Sequence, residues 1–243
     1  MALTWTKSPR LVIAGLLCLS SATQAASVPI RNLAVDVGHS LIASGAISAS
    51  GKTEFSYNLL LAQSLAKQLR LRGLQPFLIG DQGNISTLSQ RTLLAAGQQL
   101  FISIHYDSVQ PQYLAHAARF HGYALFVSHK NPYSLASLAC ARQIALALQR
   151  NHETPTLHHA EPIPGENRPL ADAKLGIYWF DDLVVLKTAT QPAVLIENGV
   201  IVNPNEEARI ARKEVRTTHD RWTCLVLRFS GYQWPPASAD ATS

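Results

Sequence analysis

A chain of 243 residues, 47% hydrophobic and 15% charged, has enough apolar material for a sizeable core and too little charge to stay unfolded. That excludes disordered and collagen-like classes, and the length suits one domain or one plus a small appendage. A formal net charge of +5 is too modest to argue for nucleic acid as a partner.

Lys7 and Arg10 precede an apolar run from Leu11 to Leu19, and Thr23 and Ala25 stand at the minus-three and minus-one positions of a cleavage site. Residues 1–25 therefore read as a secretory signal peptide. Its loss removes two cations and takes the formal charge from +5 to about +3. The apolar run is about half of the ~20 residues a spanning helix needs, and no later segment reaches that length without charges or breakers, so no membrane anchor is expected. Cys18 lacks the small preceding residue of a lipidated cysteine, and one arginine makes no twin-arginine signal.

Leu33 to Val37 is an apolar run ending at Gly38 and reads as a buried strand that delivers His39 at its end. After a loop with Gly45 and Gly51, a helix is predicted from Glu54, capped by Thr53, apolar at Leu61, Leu65 and Leu69, and stopped at Gly73. Pro76 to Ile79 reads as a strand, Leu88 to Gln99 as a helix, and Leu100 to Ile104 as a strand ending at His105. Tyr123 to Val127 follows as a strand and Ser134 to Gln149 as a long helix. Residues 151–176 carry four prolines and two glycines with little periodicity and read as a long loop. A helix near Ile177 to Thr188 then leads to a strand, Ala193 to Ile196, that ends at Glu197. Glu206 to Phe229 is predicted helical, and residues 231–243 form a polar tail.

Strands alternating with helices predict an α/β domain over residues 26–230: a three-layer sandwich with a mostly parallel central sheet flanked by helices. Such sheets build their sites at the carboxyl ends of strands. His39, His105 and Glu197 all fall there, and Glu54 opens the helix after His39. Two imidazoles and a carboxylate suit zinc with a position left for water, the pattern of a catalytic site. By residue type alone, surface or core histidines are an equal alternative.

The stretches Ala34 to His39, then Glu54, then Phe101 to His105, and finally Pro192 to Gly199 resemble the ordered motifs of the zinc-dependent N-acetylmuramoyl-L-alanine amidases of bacterial cell walls. The resemblance runs from about Leu33 to Ile210, with Arg91 and the stretch Leu186 to Thr188 as further marks. It implies that His39, Glu54 and His105 bind Zn2+ and that Glu197 is the catalytic carboxylate. The implied reaction cleaves the amide between N-acetylmuramic acid and L-alanine of peptidoglycan, in wall remodelling or daughter-cell separation. A periplasmic location is implied in the same way, while the need for an activator protein as a partner stays open. The chain departs from the family pattern at Ser40-Leu41, where a glycine pair is usual, and at Tyr106-Asp107, where small residues or Asn are common. Two other readings stay open: a zinc peptidase or amidohydrolase acting on another amide, and a peptidoglycan-binding protein on the same fold without catalysis.

His158-His159, with Glu161 and Glu166 nearby, suggests a second metal site or a lid, but the proline-bearing context predicts a solvated loop. No inhibitory helix is expected between His105 and Glu197, so the site is expected either to be constitutively open or to be gated only by residues 151–176. Asp36 is expected to orient a ligand or hold the local turn. Tyr178, Trp179 and Phe180 are expected to pack into the core from an amphipathic helix rather than line a sugar groove. Cys140 and Cys224 read as buried thiols, with a bridge between them as the alternative.

Overall fold

The computed structural model describes Met1 and residues 30–212. The predicted leader, Cys224, the predicted polar tail and the predicted helix beyond residue 212 lie outside the described residues. Seven strands form one sheet in the order β2-β1-β3-β7-β4-β6-β5. These are β1 (Asn32–Val37), β2 (Gln75–Ile79), β3 (Phe101–Asp107), β4 (Ala124–Val127), β5 (Leu170–Asp172), β6 (Ile177–Trp179) and β7 (Ala193–Val200). β2, β1, β3 and β7 run parallel, β4 pairs antiparallel with β7, β6 runs parallel to β4, and β5 turns back on β6.

The helices are α1 (Glu54–Leu71), α2 (Leu88–Leu94), α3 (Ser134–Arg150), α4 (Val184–Lys187) and α5 (Pro204–Ala211). α1 starts where Thr53 Oγ1 accepts from the Ser56 amide, and its Leu61, Leu65 and Leu69 are fully buried one turn apart. Side chains alternate across each strand, so the sheet has two different faces. Leu33, Val35, Val37, Ile102, Ile104, Val194 and Ile196 form the larger core with α1 and α3. Ala34, Phe101, Phe126, Ala193 and Leu195 meet Val185 and Leu186 of α4 in a smaller one. The three-layer expectation holds, with antiparallel pairings confined to the β4, β5 and β6 side. Among the described residues no helix is long and apolar enough to cross a membrane.

Four expectations need correction. Ile177 to Thr188 is not a helix: after Gly176, at φ +62°, Ile177, Tyr178 and Trp179 pair with β4 as a strand, and only Val184–Lys187 winds into a turn. Bulky β-branched and aromatic side chains fit that half-covered pleat. Tyr178 is buried in parallel contact with Phe126, and Trp179 stacks on His129 with centroids 3.6 Å apart. α2 stops at Leu94, as the chain turns toward Gly97 at φ +83°. Residues 151–176 are not one loop, for they include β5 and 3-10 turns at His158–Ala160 and Ala173–Leu175. β3 and β7 run on past His105 and Glu197, to Asp107 and Val200.

Candidate metal centre and catalytic cleft

β1 ends at Val37, and Gly38 and His39 lead the chain out of the sheet. His39 holds a left-handed backbone, φ +69°, a costly conformation for a residue with a Cβ. The buried guanidinium of Arg91 in α2 restrains it. Arg91 Nη1 pairs with Asp36 Oδ1 at 2.7 Å and donates to the Val37 carbonyl, while Nη2 donates to the carbonyls of His39 and, at 2.9 Å, Ile85. The Ser103 hydroxyl donates to the other Asp36 oxygen at 2.7 Å. Asp36 thus serves the histidine through Arg91 and its hold on the backbone.

Glu54 reaches both histidines from the first turn of α1. Its Oε2 lies 2.9 Å from His39 Nε2, and its Oε1 lies 3.0 Å from His105 Nδ1. The carboxylate also accepts from the amides of Ala46 and Tyr106 at 3.1 and 3.3 Å. Asn58, one helical turn on, donates to Glu54 Oε1 at 3.3 Å and to the Gly38 carbonyl at 3.1 Å. Burial works to raise the Glu54 pKa, but hydrogen bonds and charge from His105 and His39 outweigh it and hold the carboxyl at about 2. The two imidazole rings meet edge to face, centroids 4.9 Å apart. A Cβ on Gly38 would fall 2.4 Å from the His105 ring, and one on Gly45 would fall 2.4 Å from Glu54 Oε2. Glycine at both places is a condition for the three donors to converge.

Glu197 stands opposite His105 in the register of β3 and β7. Its Oε2 is shielded from solvent and lacks a hydrogen-bond partner. Burial pushes its carboxyl well above the ordinary range, and the charges of Asp107, Glu54 and Glu166 push the same way. Asn198 fastens the two strands here, donating to the carbonyls of His105 at 3.0 Å and Ile196 at 3.2 Å. His105 and Glu197 line a cleft of about 440 Å³ whose walls include Asp107, His159, Glu166, Arg168 and Phe180. Arg168 lies over the Phe180 ring, 3.5 Å from its centroid. Phe180 therefore borders a cleft, while Tyr178 packs into the core.

His158 and His159 overturn the solvated-loop expectation. They are 8% and 6% exposed, and each Nε2 lies 3.0 Å from Asp107 Oδ2 at the end of β3. Phe120, Phe126 and Tyr178 present ring edges to them. For His159, burial disfavours the imidazolium, but Asp107 and Glu166 outweigh it and raise the pKa to about 9. The sequence singled out His158 and His159 but not Asp107, which lies about fifty residues earlier along the chain. Sequence reading also missed Asn58, whose one signal was the four-residue spacing from Glu54. In the interval between His105 and Glu197, α3 and α4 both pack against the sheet.

The four site residues that the sequence singled out therefore meet at one end of the parallel strands. The chain matches the family model described as N-acetylmuramoyl-L-alanine amidase over residues 33–220. No curated protein matches it. Among solved structures, the catalytic domain of CwlV, an N-acetylmuramoyl-L-alanine amidase from Bacillus (Paenibacillus) polymyxa var. colistinus, is 22% identical with a TM-score of 0.63, covering 81% of this chain and 96% of that one. The N-acetylmuramoyl-L-alanine amidase from Clostridium difficile 630 is 19% identical with a TM-score of 0.67, covering 83% and 97%. The apo form of Ami1, the N-acetylmuramyl-L-alanine amidase of Mycobacterium abscessus, is 19% identical with a TM-score of 0.66, covering 84% and 99%. At such identities the structural likeness speaks for the fold. The family match, by contrast, spans most of the sequence and includes His39, Glu54, His105 and Glu197: the chain belongs to the N-acetylmuramoyl-L-alanine amidase family.

Proposed function

We propose that the protein is a zinc-dependent hydrolase that cuts the amide between N-acetylmuramic acid and L-alanine in peptidoglycan. The observation that carries this reading is the convergence of His39 Nε2, Glu54 and His105 Nδ1 beside Glu197, in a chain of this family. Two imidazoles and a carboxylate are the donor types of catalytic zinc sites. Glu54 stands between the two imidazoles, with one oxygen 2.9 Å from His39 Nε2 and the other 3.0 Å from His105 Nδ1, and one donor atom from each of the three residues lies within 4.8 Å of the others. When bound, zinc supplies Lewis acidity toward a carbonyl oxygen and toward water.

His39, Glu54 and His105 would hold the ion, while Arg91 and Asn58 keep His39 and Glu54 in place. Glu197 performs the proton transfer: its Oε2 takes a proton from the attacking water and passes it to the departing amine. Its burial, with three carboxylates nearby, raises its affinity for that proton between the two steps. The products are a free lactyl carboxylate on the glycan and a peptide beginning with L-alanine.

The reading includes export through residues 1–25 to the periplasm, which amino-terminal sequencing of the cell-fractionated protein checks by finding Ala26 first. CwlD from Clostridioides difficile is known in complex with the GerS lipoprotein, and on that likeness we include a protein activator for this chain. The central test is digestion of purified peptidoglycan with mass spectrometry of what is released. Peptides with a free L-alanine amine are expected, activity lost to a chelator and restored by zinc. Glu197→Gln, nearly isosteric, is expected to slow release by about 10²–10⁴-fold. Fragments still joined to muramic acid, or a Glu197→Gln variant as fast as wild type, would overturn the reading.

A further inference from the structure

The group formed by Asp107, His158 and His159 makes and breaks no bond in the reaction above, yet it is built to a higher degree than an ordinary ion pair. All three side chains are more than nine-tenths buried, at 8% exposure for each imidazole and 9% for the carboxylate. Both Nε2 atoms lie 3.0 Å from the same oxygen, Asp107 Oδ2, but none of the three atoms is aligned for a hydrogen bond. Orphaned buried polar atoms are costly, and three that point at one another share a common missing partner.

The far sides of the rings are fully engaged. His158 Nδ1 pairs with the Thr156 hydroxyl at 2.7 Å, and His159 Nδ1 pairs with Glu166 Oε2 at 2.9 Å. The Thr156 carbonyl in turn accepts from the Tyr178 hydroxyl at 2.8 Å, which ties this support to β6. A carboxylate can only accept, so the Glu166 contact places a proton on His159 Nδ1. Nε2 of the same ring faces a carboxylate oxygen 3.0 Å away but is out of line for a hydrogen bond to it. A proton on Nε2 leaves that contact unsatisfied in this alignment, whereas a divalent cation held between the atoms would engage both. An imidazole whose Nδ1–H is fixed by a carboxylate, with Nε2 turned inward, is the usual posture of a metal-bound histidine.

We propose that Asp107, His158 and His159 form a second divalent-metal site, distinct from His39, Glu54 and His105. Two nitrogens and one oxygen select zinc or a similar first-row ion over calcium or magnesium, which take oxygen ligands. Asp107 and His159 both line the cleft, so a further coordination position faces the space shared with Glu197. The ion would fasten the His158–Ala160 turn to the end of β3 and so fix one wall of that cleft.

The test is zinc stoichiometry of the purified full-length chain by elemental analysis after equilibration with Zn2+, paired with thermal unfolding. Wild type is expected to hold two equivalents. His39→Ala should keep one, and its Tm should still rise on adding zinc. Asp107→Asn and the double variant His158→Ala/His159→Ala should each keep one equivalent, lost in turn when His39→Ala is added. One equivalent in wild type that disappears in His39→Ala overturns the second site while leaving the catalytic reading intact. One equivalent that survives His39→Ala and is lost with His158→Ala/His159→Ala supports the second site and overturns the first. Should the double variant not fold, the wild-type and His39→Ala counts decide, since both retain the second cluster.

Discussion

A methyl group added at Gly38 would stand 2.4 Å from the His105 ring, too close for real atoms, so the ring must rotate away. Gly38→Ala is therefore expected to cost about 1–3 kcal/mol of stability by overpacking and to slow catalysis by about 100-fold through misplacement of His105. Urea unfolding and the peptidoglycan digest measure the two separately. Arg91 is a second pivot, because its guanidinium serves Asp36 and three backbone carbonyls at once. Arg91→Met would leave Asp36 charged and buried, keeping the Ser103 hydroxyl as its side-chain donor among the described residues, an expected loss of about 3–5 kcal/mol. Arg91→Lys keeps the charge but not the planar fork, and should fall between wild type and Arg91→Met in urea midpoint. At this scale the candidate ligand set was legible from residue type and place in the motifs. The geometry of its support was not, since no pattern in the chain says which buried arginine will find which carbonyls.

Among the elements, α1 carries both a core face and the candidate ligand Glu54. Leu65 is fully buried against the sheet, and Leu65→Ala is expected to cost about 2–5 kcal/mol in urea unfolding. α5 steadies the loop that precedes α1. Glu207 Oε1 accepts from the Ser48 hydroxyl at 2.7 Å and Oε2 from the Ser50 amide at 2.8 Å, and the hydroxyls of Ser50 and Tyr57 donate to it as well. Burial works to raise the Glu207 pKa, but hydrogen bonds from Ser50, Tyr57 and Ser48 outweigh it and bring it below the ordinary value. A depressed folded-state pKa stabilises above the unfolded value of ~4.3, and that contribution fades as pH falls through the folded value. The Tm gap between wild type and Glu207→Gln should therefore be widest near neutrality and narrow on acidification below pH ~4. A gap that widens toward acid would show the opposite sign of coupling. Helix α1 and its cap were legible because propensity, capping and periodicity agree there. β6 was not, because a three-residue strand leaves no periodicity to read and depends on β4 for its pairing.

For the molecule as a whole, zinc binding at the proposed sites would be linked to folding, since the donors converge only in the folded chain. Zinc at about 100 times its Kd adds about 2.7 kcal/mol per site, or roughly 5–10 °C in Tm for a domain of this size. A chelator should lower the Tm by that amount in wild type, and readdition of zinc should restore it. An unchanged melting curve would count against structural coupling of either centre. Burial separates the cysteine from this chemistry: the Cys140 thiol sits in the core, its pKa pushed up to about 12.

The sequence by itself determined the α/β class, the capped α1 helix, and the four residues that its motifs set at one end of the strands. Those features are local, resting on side-chain periodicity, caps and short ordered motifs, and they survive without knowledge of what lies opposite. Only the tertiary structure decided that Arg91 braces a strained His39, that Ile177 to Trp179 is a strand, and that His158 and His159 turn inward. The last of these reversed a reading from composition. A proline-bearing stretch looks solvated until Asp107, distant in sequence, offers two imidazoles a charged oxygen inside an aromatic wall. Burial and electrostatic pairing act through space, and the order of residues along the chain does not encode distance in the folded protein.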